Sequence, residues 1–556
     1  MSCPRCGCRT RYLTTDVRPV FARERRILQF YGYGHLVDRA VWKSSKSKYY
    51  YIDGESVALP DIEQVRANLP AIAEFIRDSD HYDSLDQQLI VDYRQALEIN
   101  SAYLDQLEDK AFAFIQRVAK RYKSRLLMVS FSGGKDSTVV SDLVRRALGR
   151  SDILHVFGDT TLEDENTYMY IKAFRETNPL VPFFEARAEH DFHHLVEHMG
   201  PPSRKMRWCC TIFKAGPINN FLQTLGDHVK VLTFYGIRRS ESVQRADYNA
   251  VTVGAKIGNQ ITASPVIDWT EFDIWLYIFL HKLPFNDSYR LGYSRVGCWL
   301  CPLNSAWSDM LAEIFFPQES ERWREQLLDF ARRIGKPDPE IYVAQKGWAS
   351  RFGGAGLPNR WTGIDARPCG DMDNTVEYTV TRPVNGEILE FFKPLGRINQ
   401  ERGRKALGEF FVESENGRGF DLLVQALPGS DTIRVTVLDP TRADEIQRYV
   451  KYQVNKFQTC IRCTACAAAC PFGAITVRPE QRVYEVNPDR CTHCNECVTH
   501  FGSTGCLVAK SLSSYGTAER EAENDYRDFI PLMAVVGSLE GEGSGEHEPT
   551  ARSTTA

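Results

Sequence analysis

The stretch SFSGGKDSTVV, residues 130–140, decides how this chain is read. An apolar run, RLLMVSF (125–131), leads into it, and a segment of helical pattern follows. Gly133 and Gly134 permit a tight turn and a close approach of backbone to a ligand. A helix that begins directly after such a turn presents its free amides and the positive end of its dipole to the loop, where an anion is favoured. Ser132 and Ser137 add hydroxyl donors, and Lys135 adds a mobile positive charge. Asp136 is out of place beside a phosphate unless it holds Lys135, the loop or a magnesium ion. A serine-capped glycine turn would explain the glycines, but not the strand and helix on either side. The Walker A pattern G-x-x-x-x-G-K-[ST] is absent.

Outward from the loop, short apolar runs alternate with helical stretches from 125 to about 305. RLLMVSF, DILHVFGD and VKVLTFYGI each end at a glycine or a polar residue. This pattern predicts an α/β fold, a parallel sheet with crossover helices. Asp159 and Thr160 then fall at the end of the second strand, on the edge where such sheets bind ligands. Arg238 and Arg245 bracket a turn and suit phosphate or sulfate oxygens, with Glu241 placed to orient one of them. Each arginine by itself would read as a solvated surface charge.

Taken together, these segments resemble the phosphoadenylylsulfate (PAPS) reductase family, and the loop resembles the PP-loop of the N-type ATP pyrophosphatases. FGDTTLEDENTY (157–168), GIRRSESVQR (236–245), DIWLYI (273–278) and GYSRVGCWLCP (292–302) follow in the family's order, over roughly residues 120–305. The resemblance implies an adenine nucleotide alpha hydrolase-like PP-loop domain. It implies nucleotide binding by Ser132, Gly133, Gly134, Lys135, Asp136, Ser137, Asp159, Thr160, Arg238, Glu241 and Arg245. Lys135, Asp136, Arg238 and Arg245 would carry the chemistry, with ATP and Mg²⁺ as the expected pair.

The chain has 16 cysteines, and they are clustered. The start, MSCPRCGCRTRYL, has no apolar signal core, so clustered thiols read as metal ligands in a cytoplasmic protein rather than as disulfides. No stretch reaches the ~18 apolar residues of a membrane span. A net charge of −4 gives no global argument for nucleic acid, which leaves local basic segments such as AKRYKSR (119–125) and PSRKMRW (202–208) to serve.

RWCC places Cys209 and Cys210 side by side, and GCWLC places Cys298 and Cys301 in a C-x-x-C. Four thiolates can close a [4Fe–4S] cluster or a Cys₄ zinc site, or stay free with one redox pair. Cys-Cys…Cys-x-x-Cys in this fold resembles the cluster-bearing adenylylsulfate (APS) reductases, which implies a cluster beside the nucleotide. CIRCTACAAACP (460–471) is C-x₂-C-x₂-C-x₃-C-P, and CTHCNEC (491–497) and Cys506 follow. This resembles a bacterial two-cluster ferredoxin, in which the fourth cysteine of each run ligates the other cluster. By that resemblance Cys460, Cys463, Cys466 and Cys506 hold one [4Fe–4S] cluster, and Cys491, Cys494, Cys497 and Cys470 the second. The second run departs from the pattern: eight residues, VTHFGSTG, separate Cys497 from Cys506, and no proline follows.

CPRCGC resembles half of a zinc ribbon: Cys3, Cys6 and Cys8 could hold Zn²⁺ with a fourth ligand such as His35. Cys369, in DARPCGDMDN, is left over, either a sulfur carrier or an incidental thiol. The expected organisation is a ribbon-like domain (1–65), a helical linker (66–124), the nucleotide domain (125–305), an α+β connecting domain (306–440), a ferredoxin (441–515) and a disordered tail (516–556).

Three functions follow from the resemblance. The first is cleavage of ATP to AMP and pyrophosphate, activating an acceptor that then takes sulfur, as in DNA phosphorothioation or RNA thiolation. It calls for a cysteine desulfurase as sulfur donor, an electron donor, and DNA or RNA as acceptor. The second is reduction of APS or PAPS to sulfite. Family members that do this use a C-terminal Glu-Cys-Gly-Leu-His and tend to have a degraded loop, whereas this sequence keeps its loop and shows no such motif. The third is a non-catalytic redox or electron-transfer scaffold, against which the intact loop argues.

Overall fold

In the computed structural model the run after which the loop begins, Leu126–Ser130, lies inside a six-stranded sheet. The strand order is Phe183–Arg187, Leu154–Asp159, Leu126–Ser130, Val231–Phe234, Gln260–Ala263, Val251–Val253. Every junction is parallel except the last. The three apolar runs are thus three adjacent strands. They read as continuous apolar text because both faces are covered. One face packs on Val139, Val140 and Leu143 of the helix Lys135–Leu148, with Ile115 and Ile274 from its neighbours. The other packs on the helix Gly216–Thr224, where Leu222 meets Met128, Val156 and Val231. The chain leaves Leu126–Ser130 to build strands on one side, then returns to place Val231–Phe234 on the other. The loops after these two strands therefore flank the reversal point where open α/β sheets bind ligands.

The structure describes residues 13–36, 39–45, 47–58, 62–77, 82–226, 229–253, 260–357, 364–370 and 372–513, with Gly7 and Ile257. Cys3, Cys6 and Cys8, and the tail expected over 516–556, lie outside them. What is described of the first 65 residues is a four-stranded antiparallel sheet, Val17–Pro19, Val41–Ser44, Tyr49–Ile52 and Glu55–Ala58, with the helix Ala22–Phe30. Helices Leu69–Arg77, Tyr82–Asp92 and Arg94–Arg121 follow. No helix among the described residues is long and apolar enough to cross a membrane.

The division expected at 306 and 440 is not where the cores divide. Met310 and Leu311 pack with Ile27, Ile72 and Ile76, and Trp323 and Leu327 with Phe192 and Trp208, so the helices after 305 belong to the front half of the molecule. A six-stranded antiparallel sheet follows, in the order Asp365–Pro368, Thr375–Thr379, Thr432–Val437, Leu422–Gln425, Glu409–Glu413, Arg397–Asn399. It shares one core with the cysteine-rich segment: Val435 and Val437 with Val450 and Phe457 of the helix Ala443–Thr459, and with Val477 and Tyr484 of the hairpin Ile475–Arg478/Val483–Val486. That helix, read as the start of the ferredoxin, joins the sheet and the hairpin in this one core.

Candidate functional site

The loop turns where Gly133 takes φ +73°, a left-handed conformation that favours glycine. Gly134 is the N-cap of Lys135–Leu148, at φ −87° and ψ 158°. A Cβ there would stand 3.2 Å from Tyr289 Oη, the oxygen that accepts the Lys135 amide proton at 2.9 Å. Ser137 braces the turn: its hydroxyl donates to the Gly134 carbonyl at 2.8 Å and accepts the Ser132 amide at 3.2 Å. The segment that follows the strand Val231–Phe234 passes so close that a Cβ on Gly236 would sit 2.7 Å from the Asp136 carbonyl carbon.

Asp136 holds two cations. Arg238 Nε donates to its Oδ1, and Lys135 Nζ lies 3.3 Å from its Oδ2. Lys135, with its side chain 4% exposed, also reaches Glu271 Oε1 at 3.4 Å and donates to the Ser294 carbonyl at 3.2 Å. Burial would strip its proton, but Asp136 and Glu271 outweigh burial and keep the ammonium charged. Burial likewise pushes the Asp136 and Glu271 carboxyls up, and Lys135 and Arg238 bring both below their ordinary values. The result is a buried network of two cations and two carboxylates under the loop.

Sequence reasoning missed Glu271, which stands in the capping box Thr270–Asp273 just ahead of DIWLYI. It also missed Asp16, whose carboxylate accepts the Glu271 and Phe272 amides at 3.0 and 3.1 Å.

The two arginines expected to act together diverge. Arg238 is turned into the acids of the loop, whereas Arg245 pairs with Glu241 and stands near Arg295. Burial and then the Arg295 charge pull the Arg245 pKa down to about 10. At the end of Leu154–Asp159, Asp159 accepts the Thr161 amide at 2.8 Å and the Tyr168 hydroxyl at 2.9 Å. The Thr160 hydroxyl donates to Glu163 at 2.8 Å and lies 3.4 Å from Cys298 Sγ. The carboxyl edge of the sheet and the first cysteine group therefore touch. Lys214 Nζ, 3.8 Å from Glu163, closes this contact, and the Cys298 sulfur and then Glu163 raise its pKa against desolvation.

Cys209 and Cys210 sit in the turn Trp208–Cys210, which runs through a π-helical turn, Thr211–Ala215, into Gly216–Thr224. Cys298 and Cys301 close a tight turn, with the Cys301 amide donating to the Cys298 carbonyl at 3.2 Å. The four thiols are neighbours. Cys209 is raised by Cys210, by burial, and by Cys298 and Cys301; Cys298 is pushed up to about 11, chiefly by burial. Four neighbouring thiols are the donor set of a Cys₄ iron–sulfur or zinc site, and no three of these sulfurs lie within 4.8 Å of one another.

The C-terminal runs are built on one repeated device. In the first, Arg462 and Thr464 take φ +58° and +64°; in the second, His493 and Asn495 take +56° and +59°. The residues before and after the middle cysteine of each run are thus left-handed, and the backbone curls so that three thiols converge. Cys460, Cys463, Cys466 and Cys506 line one cavity. Cys506 returns to it over the longer loop through the turn Gly502–Thr504 and Gly505, where a Cβ would sit 2.5 Å from Tyr452 Cβ. The Cys491 thiol is raised by burial, with Cys470 and Cys494 adding to it; Cys497 is raised to about 12 by burial, with Cys466, Cys470 and Cys491 adding to it. The cavity also contains a buried lysine nitrogen, Lys456 Nζ, with no hydrogen-bond partner among the described residues. Two converging four-thiol sets beside a buried cation fit anionic clusters. Cys369 stands apart, just past the strand Asp365–Pro368, its amide bound to the Thr375 carbonyl at 2.9 Å.

The cysteine-rich segment docks on the half that carries the parallel sheet, directly after Cys210. A Cβ on Gly216 would lie 2.0 Å from Thr464 Oγ1. Gln223 Nε2 donates to the Ile475 carbonyl, and His190 Nε2 meets the Arg462 carbonyl, both at 3.2 Å. Cys209 and Cys298 pack against the same apolar cluster that buries Cys463 and Cys506, through Ile212, Phe213, Leu507 and Val508.

Residues 126–304 match the model of the phosphoadenosine phosphosulfate reductase domain, and residues 459–500 that of the 4Fe-4S dicluster domain. An uncharacterized protein of Methanocaldococcus jannaschii is 32% identical over 284 residues, 50% of this chain and 57% of its own length. The chain thus spans little more than half of that relative. An adenosine 5'-phosphosulfate reductase of Halalkalibacterium halodurans is 27% identical over 210 residues, 37% of this chain and 87% of its own. Among solved structures, the phosphoadenylyl-sulfate reductase of Candida auris in a phosphate complex aligns at 17% identity and a TM-score of 0.27, over 35% of this chain and 94% of that one. The chain carries a phosphoadenosine phosphosulfate reductase domain joined to a C-terminal 4Fe-4S dicluster ferredoxin domain.

Proposed function

We propose that this chain is an iron–sulfur enzyme that cleaves ATP to AMP and pyrophosphate to activate an acceptor for sulfur. An acceptor oxygen attacks the α-phosphorus, pyrophosphate leaves, and sulfur then displaces AMP from the adenylate. The observation that carries this reading is the complete loop: Gly133 in the left-handed region, Gly134 capping the helix, and Lys135 held charged beneath it by Asp136 and Glu271. Lys135 and the helix amides stabilise the charge that grows on the departing pyrophosphate, with Mg²⁺ as counter-ion. Asp136 and Arg238 fix Lys135 in place, and Arg245 beside Arg295 offers positive charge at the rim for phosphate oxygens. Bound clusters supply one-electron transfer. Cys209, Cys210, Cys298 and Cys301 would hold a third, next to Thr160 at the nucleotide edge. A nucleic acid is the acceptor in this reading, DNA or RNA, and a cysteine desulfurase the sulfur source.

A second reading, reduction of APS to sulfite, is favoured by the Halalkalibacterium halodurans relative, whose name states that activity and 87% of which is covered. One experiment separates the two. Clusters are reconstituted anaerobically, and ATP, APS and PAPS are offered in turn. AMP and pyrophosphate from ATP, with no sulfite from either sulfonucleotide, is the expected result. Sulfite from APS or PAPS without ATP turnover would reverse the assignment.

A further inference from the structure

The helix Ala443–Thr459 carries a lysine into the cavity lined by the first cysteine set of the dicluster domain. Lys456 is 2% exposed and lines the cavity of Cys460, Cys463, Cys466 and Cys506. Its Nζ lies 5.1 Å from the centre of the Tyr484 ring and has no hydrogen-bond partner among the described residues. One turn earlier on the same helix, Gln453 is fully buried with neither amide atom partnered among the described residues. Tyr484 and Cys497 lie with Phe457 of this helix in one buried cluster, and Cys466 packs against it. Cys466 belongs to the first set and Cys497 to the second.

A buried ammonium with no opposing charge is costly, by several kcal/mol as an order of magnitude. Neutral thiols would not offset that cost. Thiolates bound to iron would, because a cluster with four thiolate ligands is an anion. Adding an electron to a cluster makes it more negative, so a nearby positive charge stabilises the reduced form more than the oxidised one and raises the potential. Burial removes this interaction from screening by salt. We infer that Lys456 is an internal counter-ion shared by the two clusters of the dicluster domain, placed so that one charge raises both reduction potentials together. This goes beyond the choice between ATP cleavage and sulfonucleotide reduction and does not depend on it.

The test uses the full chain, reconstituted anaerobically, with the midpoint potential of each dicluster-domain cluster followed by electron paramagnetic resonance at low and high salt. Lys456→Met is expected to lower both potentials, by an amount that salt does not change, with iron and sulfide per chain as in the parent. Lys456→Arg is expected to stay near the parent. Lys451→Met, on the exposed face of the same helix, is expected to move neither. Lys456→Met with both clusters assembled and either potential unmoved would overturn the inference. If Lys456→Met does not assemble, Lys456→Gln is read in the same way. Loss of clusters in both neutral variants with retention in Lys456→Arg supports the counter-ion, and loss in all three overturns it.

Discussion

Gly216 lies where the two halves of the molecule meet, and replacing it with alanine sets two effects against each other. Helix propensity favours alanine by up to about 1 kcal/mol. Geometry opposes it. The new Cβ would stand 2.0 Å from Thr464 Oγ1, 3.2 Å from Thr464 Cβ and 3.3 Å from the Thr211 carbonyl oxygen. Reaching ordinary contact with the hydroxyl requires a gap of about 1.4 Å to open, the difference between 2.0 Å and 3.4 Å. The hydroxyl can turn away only by giving up its bond to the Cys463 carbonyl, at about 1 kcal/mol, and the remaining contacts stay tight. Otherwise the cysteine-rich segment must back off. Overpacking of this kind costs about 1–3 kcal/mol, roughly 5- to 150-fold in the docked equilibrium.

The assay is a double-mutant cycle on anaerobically reconstituted full-length protein, with urea unfolding followed by the visible absorbance of the clusters. Thr464 already sits at φ 64°, so Thr464→Gly removes the obstacle at a backbone position glycine accepts. Gly216→Ala alone should lower the midpoint; in the Thr464→Gly background it should be neutral or stabilising. Parent-like stability of the single variant, or an equal penalty in both backgrounds, would refute the close docking.

Lys135→Met keeps the side-chain volume and should reduce pyrophosphate release from ATP by about 10²–10³-fold, the range for losing one charge-stabilising group; unchanged release would remove the loop from the chemistry. Gly133→Ala must place a Cβ at φ +73°, 3.3 Å from Thr167 Cγ2, and should cost about 1–2 kcal/mol along with nucleotide affinity, read by calorimetry. His155 is fully buried, donates from Nδ1 to the Ile153 carbonyl and accepts the Ser141 hydroxyl at Nε2, each at 2.8 Å; burial pulls its pKa down to about 4. The unfolded chain therefore takes up a proton first, so stability is complete above about pH 6.5 and falls toward pH 4, by about 2 kcal/mol at pH 5. Urea midpoints at pH 7.5 and 5 should show the loss, and His155→Gln should flatten it. Cys298→Ser with Cys301→Ser should lower iron from roughly twelve to roughly eight per chain, three four-iron clusters becoming two; unchanged iron with a loss of zinc would assign those thiols to zinc instead.

What the sequence disclosed, and what it hid, follows from how local each signal is. The strands Leu126–Ser130, Leu154–Asp159 and Val231–Phe234 were legible because burial on both faces leaves unbroken apolar runs. The loop and the cysteine runs were legible because their chemistry sits within a dozen residues. The network under the loop was not, because its parts come from far apart: Asp16 caps the helix of Glu271 across 255 positions. Lys456 reads as one more basic residue of an amphipathic helix, and only the packing of the antiparallel sheet and the hairpin against that helix buries it. The segment 306–440 read as a single unit because nothing in its composition marks that its helices and its strands belong to different cores.

The shared apolar cluster around Phe213, Cys463 and Cys506 also bears on how such a chain can change over time. A ferredoxin joined by a tether can be lost, replaced or traded between genes with little effect on its host. Here its removal would lay bare Ile212 and Phe213, next to Cys209 and Cys210, where Leu507 and Val508 now cover them. A descendant that discarded its ferredoxin should therefore carry polar replacements at positions 212 and 213, and that trace would distinguish a true loss from a recent truncation.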